Sequence, residues 1–238
     1  VMCGRFVSTN QPDQIAEYFG ADVATDTLGE NFNVAPTHDV YGVRERPTGE
    51  RTVEAFHWGL VPSWAKDRKI ASRMINARSE TLAEKNAFKG LLKKKRLLIP
   101  MDGFYEWKPG SPDGPLTAKG KPAKQPMFIR RTDGEPLAVA GLWTSWKDPE
   151  LDDDDDRWLH SATVITTAAN SVMSDVHDRM PVVIPESRWS EWRDPANDDI
   201  ESLSSLFVPR EDIALVLTPV STEVNNVRNN RPDLIDPR

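Results

Sequence analysis

A single thiol stands near the start of this chain, in Met2-Cys3-Gly4-Arg5-Phe6, and no other cysteine occurs in the 238 residues. An isolated cysteine is commonly a small buried apolar residue. Position gives this one a second use. With the residues before it removed, Cys3 carries a free α-amine and a thiol on adjacent carbons, a pair no internal cysteine offers. An α-amine titrates at about 7.7–8.0 and a thiol at about 8.5, so both are partly nucleophilic at neutral pH. Together they trap an aldehyde, first as a Schiff base and then as a five-membered thiazolidine. Val1 and Met2 precede Cys3. Loss of an initiator Met before a small residue is expected, and Val1 reads as an extra leading residue.

Three polar strings sit beside apolar runs. In Met74 to Thr81, Ser79 reads as a helix cap. Asn76 and Arg78, two apart, share one side of an extended segment and suit a sugar or phosphate. In Asp102 to Lys108, Glu106 lies between Tyr105 and Trp107. At an exposed sheet edge it is an ordinary carboxylate; in an aromatic pocket, desolvation raises its pKa and lets it donate a proton at neutral pH. Spacing alone favours the exposed edge. In Ser174 to Pro181, His177 stands among carboxylates and Arg179, a general acid/base candidate. His38 and His160 have weaker settings, and His57 reads as a packed core residue. Cys3, His177 and Asn76 also match the parts of a cysteine hydrolase, although such triads are defined by geometry. Of the tryptophans in His57 to Lys66, Trp58 reads as core and Trp64, followed by charges, as a platform for an unpaired base.

The elements that must hold these groups are mostly strands. Short apolar runs at 40–43, 52–58, 97–101, 127–130, 137–143, 161–166, 181–184 and 213–217 are bounded by Gly, Pro or Asp. Helices are expected behind Asn10-Gln11-Pro12, with Ile15, Ala16 and Phe19 as their apolar stripe, and over 79–95, 185–193 and 198–206. Strands outnumber helices without alternating with them. That predicts an α+β fold of mainly antiparallel, barrel-like sheets with a few peripheral helices. One domain is expected over 1–238, its core about 3–218, with a surface loop over 109–126 and a partly mobile tail after Thr218.

Composition narrows the function classes. A formal charge of −7 argues against simple nucleic-acid binding. The segment Trp64–Arg96 nevertheless carries eleven basic against three acidic residues, a net +8 that leaves −15 elsewhere. Such a segment neutralises phosphates locally, while Lys93–Lys95 reads equally as a solvated helix face. The acidic run Asp152–Asp156 reads as a solvated loop. One cysteine excludes an internal disulfide, and four histidines show no zinc spacing. No run has membrane-spanning length and the polar start does not resemble a signal peptide, so an intracellular protein is expected.

The ordered set Met2–Phe6, Asn33-Val34-Ala35-Pro36, Trp58–Trp64, Asn76–Thr81, Gly103–Trp107 and His177–Pro181 resembles the SRAP family, the SOS response-associated peptidases, from Cys3 to at least Ile184. The resemblance implies a sensor of abasic sites in single-stranded DNA, acting in the DNA damage response. Such proteins join their amino-terminal cysteine covalently to the ring-opened sugar. It implies Cys3 as nucleophile, Asn76 holding the sugar, Glu106 as acid/base group and His177 assisting proton transfer. Arg5, Asn33, Pro36, Trp64, Arg78 and Trp107 would then line the DNA path. Lyase activity and self-removal of the leading residues also follow from the resemblance. Neither cofactor nor metal is expected, and the chain is expected to be a cytoplasmic monomer, at the nucleoid when on DNA. The competing readings are a cysteine peptidase acting on protein substrates and a non-catalytic single-strand binder.

Overall fold

The computed structural model describes residues 3–150 and 157–238. Val1, Met2 and the run Asp152–Asp156 lie outside the described residues. In chain order the elements begin with β1 (Phe6–Ser8), α1 (Pro12–Phe19), β2 (Asp22–Val23), β3 (Asn31–Val34), β4 (Asp39–Glu45) and β5 (Arg51–Trp58). Next come β6 (Asn76–Arg78), α2 (Lys89–Lys94), β7 (Arg96–Met101), β8 (Gly103–Lys108) and β9 (Gln125–Arg131). The long strands β10 (Leu137–Lys147) and β11 (Trp158–Ala168) precede β12 (Arg179–Pro181), α3 (Trp189–Arg193), α4 (Ile200–Ser204) and β13 (Leu215–Pro219).

Five strands close on themselves. β11-β10-β7-β4-β5 are antiparallel neighbours, and β5 returns to β11 in parallel through Ser161↔His57 and Ala162↔Trp58. The fold is therefore α+β and barrel-like. Strand alternation sorts the side chains into two cores. Tyr41, Val43, Val53, Leu98, Ala140 and Leu142 pack with Phe19, Leu92, Trp189 and Trp192 of the helices, so this face is the outside of the barrel. Val40, Phe56, Trp58, Leu97, Ile99, Ala162 and Val164 face inward.

A second sheet, in the order β13-β9-β8-β1-β3, adds Phe6, Phe104 and Ile129 to that inner core. Trp58 is fully buried there, edge-on to Phe6 at 5.0 Å, with its indole N–H donating to the Ile75 carbonyl at 3.1 Å. An aromatic side chain of this size hides 150–250 Å² and contributes about 4–6 kcal/mol by area.

Several expectations change. Residues 79–95 form not one helix but a 3₁₀ turn at Ser79–Thr81 and the short α2. Asn86 and Gly90 are poor helix formers that interrupt the stretch, while Leu82, Phe88 and Leu92 remain its buried anchors. Arg78, not Ser79, occupies the cap position of that turn, and it makes no capping hydrogen bond. The tail after Thr218 packs on the second sheet: Val220, Val224 and Leu234 are fully buried against Val7, Tyr105 and Phe128. His57 is only half-buried, with Nδ1 3.6 Å from Asp39. Of the loop expected over 109–126, residues 109–124 hold no strand apart from a Leu116↔Pro122 bridge, while Gln125 and Pro126 already belong to β9.

Candidate active site

β8 lies in mid-sheet, hydrogen-bonded to β1 on one side and β9 on the other. Alternation places Phe104 and Glu106 on its inner face and Tyr105 and Trp107 on the other. Glu106 is thus not at an exposed edge: it is 3% exposed, and burial pushes its carboxyl above the usual range. A hydrogen bond from the Cys3 backbone N–H, at 2.5 Å from Oε1, and the nearby His177 oppose that rise in part.

Cys3 is itself 1% exposed. It enters β1 with φ of 34°, a left-handed conformation uncommon for a residue with a Cβ. Burial, and secondarily the Glu106 charge, raise its thiol pKa well above the ordinary value. The thiol and the nitrogen of Cys3 and the carboxyl of Glu106, 103 positions apart, thus meet in one water-poor place.

His177 and Asn76 arrive from strands on either side of β11. β6 runs parallel to it, with Asn76 opposite Val164 and Arg78 opposite Thr166; β12 pairs with it antiparallel, with Pro181 opposite the same Thr166. His177 is half-buried, two residues before β12. Its Nδ1 lies 2.8 Å from an Asp178 carboxylate oxygen and 3.1 Å from the Arg179 backbone N–H. With Nδ1 held, Nε2 makes no hydrogen bond among the described residues and is the nitrogen left for proton exchange. The Arg179 backbone N–H holds the ring through Nδ1, and the exposed Asp178 carboxylate pairs with that nitrogen only when it carries a proton instead.

Asn76 opens onto a cleft also lined by Arg73, Arg78 and Lys85. Arg73 continues into a neighbouring cleft with Trp64, Lys66 and Lys69. Trp64 is 65% exposed, so its ring is free to stack. Gly59 shapes this path: its φ is 130°, and a Cβ there would lie 2.5 Å from the Ala71 carbonyl oxygen. Basic residues and an exposed indole therefore lead to Asn76.

Four further residues expected on the DNA path, Arg5, Asn33, Pro36 and Trp107, have partners of their own. Arg5 donates through Nη1 to Asn33 Oδ1 at 2.7 Å and to the Val224 carbonyl at 2.8 Å, with its guanidinium 5.9 Å from the Trp107 ring. Trp107 donates to Asn225 at 2.7 Å. Asn33 is buried, and its amide donates to the carbonyls of Asn226 and Asn229 at 3.1 and 2.9 Å. Asn33 thus pins the tail. Pro36 is half-buried in the turn whose Thr37 N–H bonds the Trp58 carbonyl at 2.8 Å. Nothing in the sequence flags Val224, Asn225, Asn226 and Asn229 as supports of this cluster, because their polar groups act through backbone and tail contacts.

The family model for SOS response associated peptidase (SRAP) matches residues 2–227. The chain belongs to the SRAP family. It is similar to the abasic site processing protein YoqW of Bacillus subtilis (strain 168), 38% identical over 99% of both chains. It is also similar to the abasic site processing protein HMCES of Xenopus tropicalis, 30% identical over 98% of this chain and 77% of that protein. A crystal structure of a protein from Bacteroides thetaiotaomicron shares the SRAP-like fold, with a TM-score of 0.81 at 21% identity, covering 99% of this chain and all of the other.

Proposed function

We propose that this SRAP protein captures abasic sites in single-stranded DNA as a thiazolidine between Cys3 and the ring-opened sugar. The observation that carries this reading is the buried 2.5 Å hydrogen bond between the Cys3 nitrogen and Glu106. The relatives' name, abasic site processing protein, supports the substrate.

Freed of Val1 and Met2, the Cys3 nitrogen attacks the sugar aldehyde to give a carbinolamine. Protonated Glu106 donates to the departing hydroxyl, water leaves, and an iminium forms. The Cys3 sulfur then adds to the iminium carbon, losing its proton and closing the ring. The net change is one C–N and one C–S bond gained and one water released. Asn76 holds the opened sugar, and His177 exchanges a proton at the sugar hydroxyl. Burial excludes water that would otherwise hydrolyse the iminium.

Lyase activity follows when a base removes the C2′ proton from the iminium before the sulfur adds, expelling the 3′ phosphate. Self-processing has the same geometry in its favour, since Glu106 stands at the nitrogen that must leave when the Met2–Cys3 amide is cut. The basic clefts from Trp64 to Arg78 support a single strand as the DNA form. We place the protein in the cytoplasm as a monomer, at the nucleoid when on DNA, and the chemistry as drawn uses no metal or cofactor.

The test is the intact mass of the purified protein before and after incubation with single-stranded DNA bearing one abasic site. A chain beginning at Cys3 should gain the DNA mass less one water, and Cys3→Ala should gain nothing stable. A stable adduct from Cys3→Ala would overturn the proposal. A chain with a blocked amine that forms no adduct yet cleaves protein substrates would favour the cysteine-peptidase reading.

A further inference from the structure

The barrel that carries the Cys3 site at one end has a different chemistry at the other. Its inward-facing positions there are polar: Arg44 on β4, Glu54 on β5, His160 on β11, with Trp143 on β10 and Lys95 just before β7. Along β5, Glu54 is four residues from Trp58, about 13 Å at the rise of an extended strand. A cavity of about 550 Å³ opens at this end, lined by Arg44, Arg46, Lys94, Lys95, Trp143 and Pro195 among others. That size is within the range of small-ligand sites.

We propose that this cavity binds a phosphate group, at a site separate from Cys3. The argument rests on charge. Of the carboxylates at this end, Glu54 is already shared: Arg44 Nε and Nη2 lie 2.9 and 2.8 Å from its oxygens, Arg46 Nη2 3.1 Å, and Thr52 Oγ1 2.7 Å. Asp194, which also lines the cavity, accepts from the Ala196 backbone N–H at 2.8 Å. Glu45 pairs with Arg51 at 2.9 Å, and Glu50 with Arg46 at 3.3 Å. Lys95 has no ion pair among the described residues. It is nonetheless half-buried and held in place, because the Trp143 backbone N–H donates to its carbonyl at 3.0 Å.

The Lys95 ammonium lies 4.7 Å from the Trp143 ring centre and the Arg44 guanidinium 4.4 Å. Two cations over one indole repel each other. Burial, and then Arg44, pull the Lys95 pKa down, and burial followed by Arg44 does the same to His160. An anion entering the cavity relieves that repulsion. A phosphate fits better than a lone carboxylate, since it presents more charge and more acceptors to the unpaired Lys95 ammonium and to the guanidinium edges that Glu54 leaves free. The indole and Pro195 offer an apolar wall to whatever organic part the phosphate carries.

The phosphate has two possible sources, a small phosphorylated molecule or a DNA strand, and the test separates them. Calorimetric titration of the full chain with inorganic pyrophosphate, adenosine diphosphate and an undamaged single-stranded oligonucleotide is compared among wild type, Lys95→Met and Arg46→Met. Affinity for the ligand that binds should fall about tenfold in Lys95→Met, the loss expected of one desolvated charge contact, and less in the more exposed Arg46→Met. Adduct formation with abasic DNA should be unchanged in both, which keeps this site distinct from that of Cys3. Weakened pyrophosphate or diphosphate binding assigns a small phosphorylated ligand; weakening confined to the oligonucleotide assigns DNA. Absence of binding by all three, or binding that neither substitution changes, overturns the proposal.

Discussion

Arg179 reaches across β11 to Glu80, its Nη1 and Nη2 lying 2.5 and 2.9 Å from the two carboxylate oxygens, while Nη2 also donates to the Thr166 carbonyl at 2.7 Å. Glu80 follows the strand that carries Asn76, and Arg179 follows His177. The pair therefore ties two candidate catalytic strings to one strand between them. A bidentate pair with one well-shielded partner belongs at the upper end of what such pairs contribute, about 1 kcal/mol.

Glu80→Gln should accordingly slow adduct formation several-fold while leaving affinity for undamaged DNA unchanged, because it loosens alignment and not the basic cleft. A loss confined to DNA affinity would contradict this. The hydrogen bond from Arg179 holds the Glu80 carboxyl below the usual range. A depressed folded-state pKa gives stability that is present above the unfolded value and lost as pH falls through the folded one. Thermal unfolding between about pH 7 and pH 3 should therefore show this loss in the wild type and less of it in Glu80→Gln.

For Glu106 the sign is opposite. Burial raises its carboxyl, so the acid form persists above the usual carboxylate range and is lost as pH rises through the folded-state pKa. Stability tied to that proton is present at low pH and declines on the alkaline side. Glu106→Gln should flatten that decline. It should also reduce the rate of adduct formation by about 10²–10³, the usual worth of a placed proton donor. Single-turnover rates across pH read both effects; an unchanged rate would remove Glu106 from the mechanism.

The tail is held by Asn33, whose amide donates to the carbonyls of Asn226 and Asn229. Asn33→Ala leaves those carbonyls and the Arg5 guanidinium short of a partner, at a cost of about 1–3 kcal/mol. Lower thermal stability with faster proteolysis after Thr218 is the expected outcome. A variant as stable as wild type would remove Asn33 from the anchoring of the tail.

Trp64 offers the reverse case. Its exposure means that Trp64→Ala should change stability by less than about 0.5 kcal/mol. Loss of one stacked base should weaken single-strand binding by about 1–3 kcal/mol. Fluorescence anisotropy with a labelled oligonucleotide measures this directly, and unchanged affinity would place the strand elsewhere.

Residue types alone supplied the chemical parts. The position of Cys3, the Asn76–Arg78 pair, the carboxylate of Glu106 and the setting of His177 were all legible, because each depends on what stands next to it in the chain. The long apolar runs that became β4, β5, β7, β10 and β11 were legible for the same reason. The short strands β1 and β3 were not, since each is only a few residues long and its pairing partners lie far away in the chain.

Tertiary structure decided the rest. Whether Glu106 stood at an edge or in a pocket depended on β1 and β9 flanking it, which no local pattern encodes. The meeting of Cys3 with Glu106, the crossing of Arg179 to Glu80 and the polar far end of the barrel each join groups distant in sequence. Their energies come from desolvation and from distances of a few ångströms, quantities that exist only once the barrel has closed.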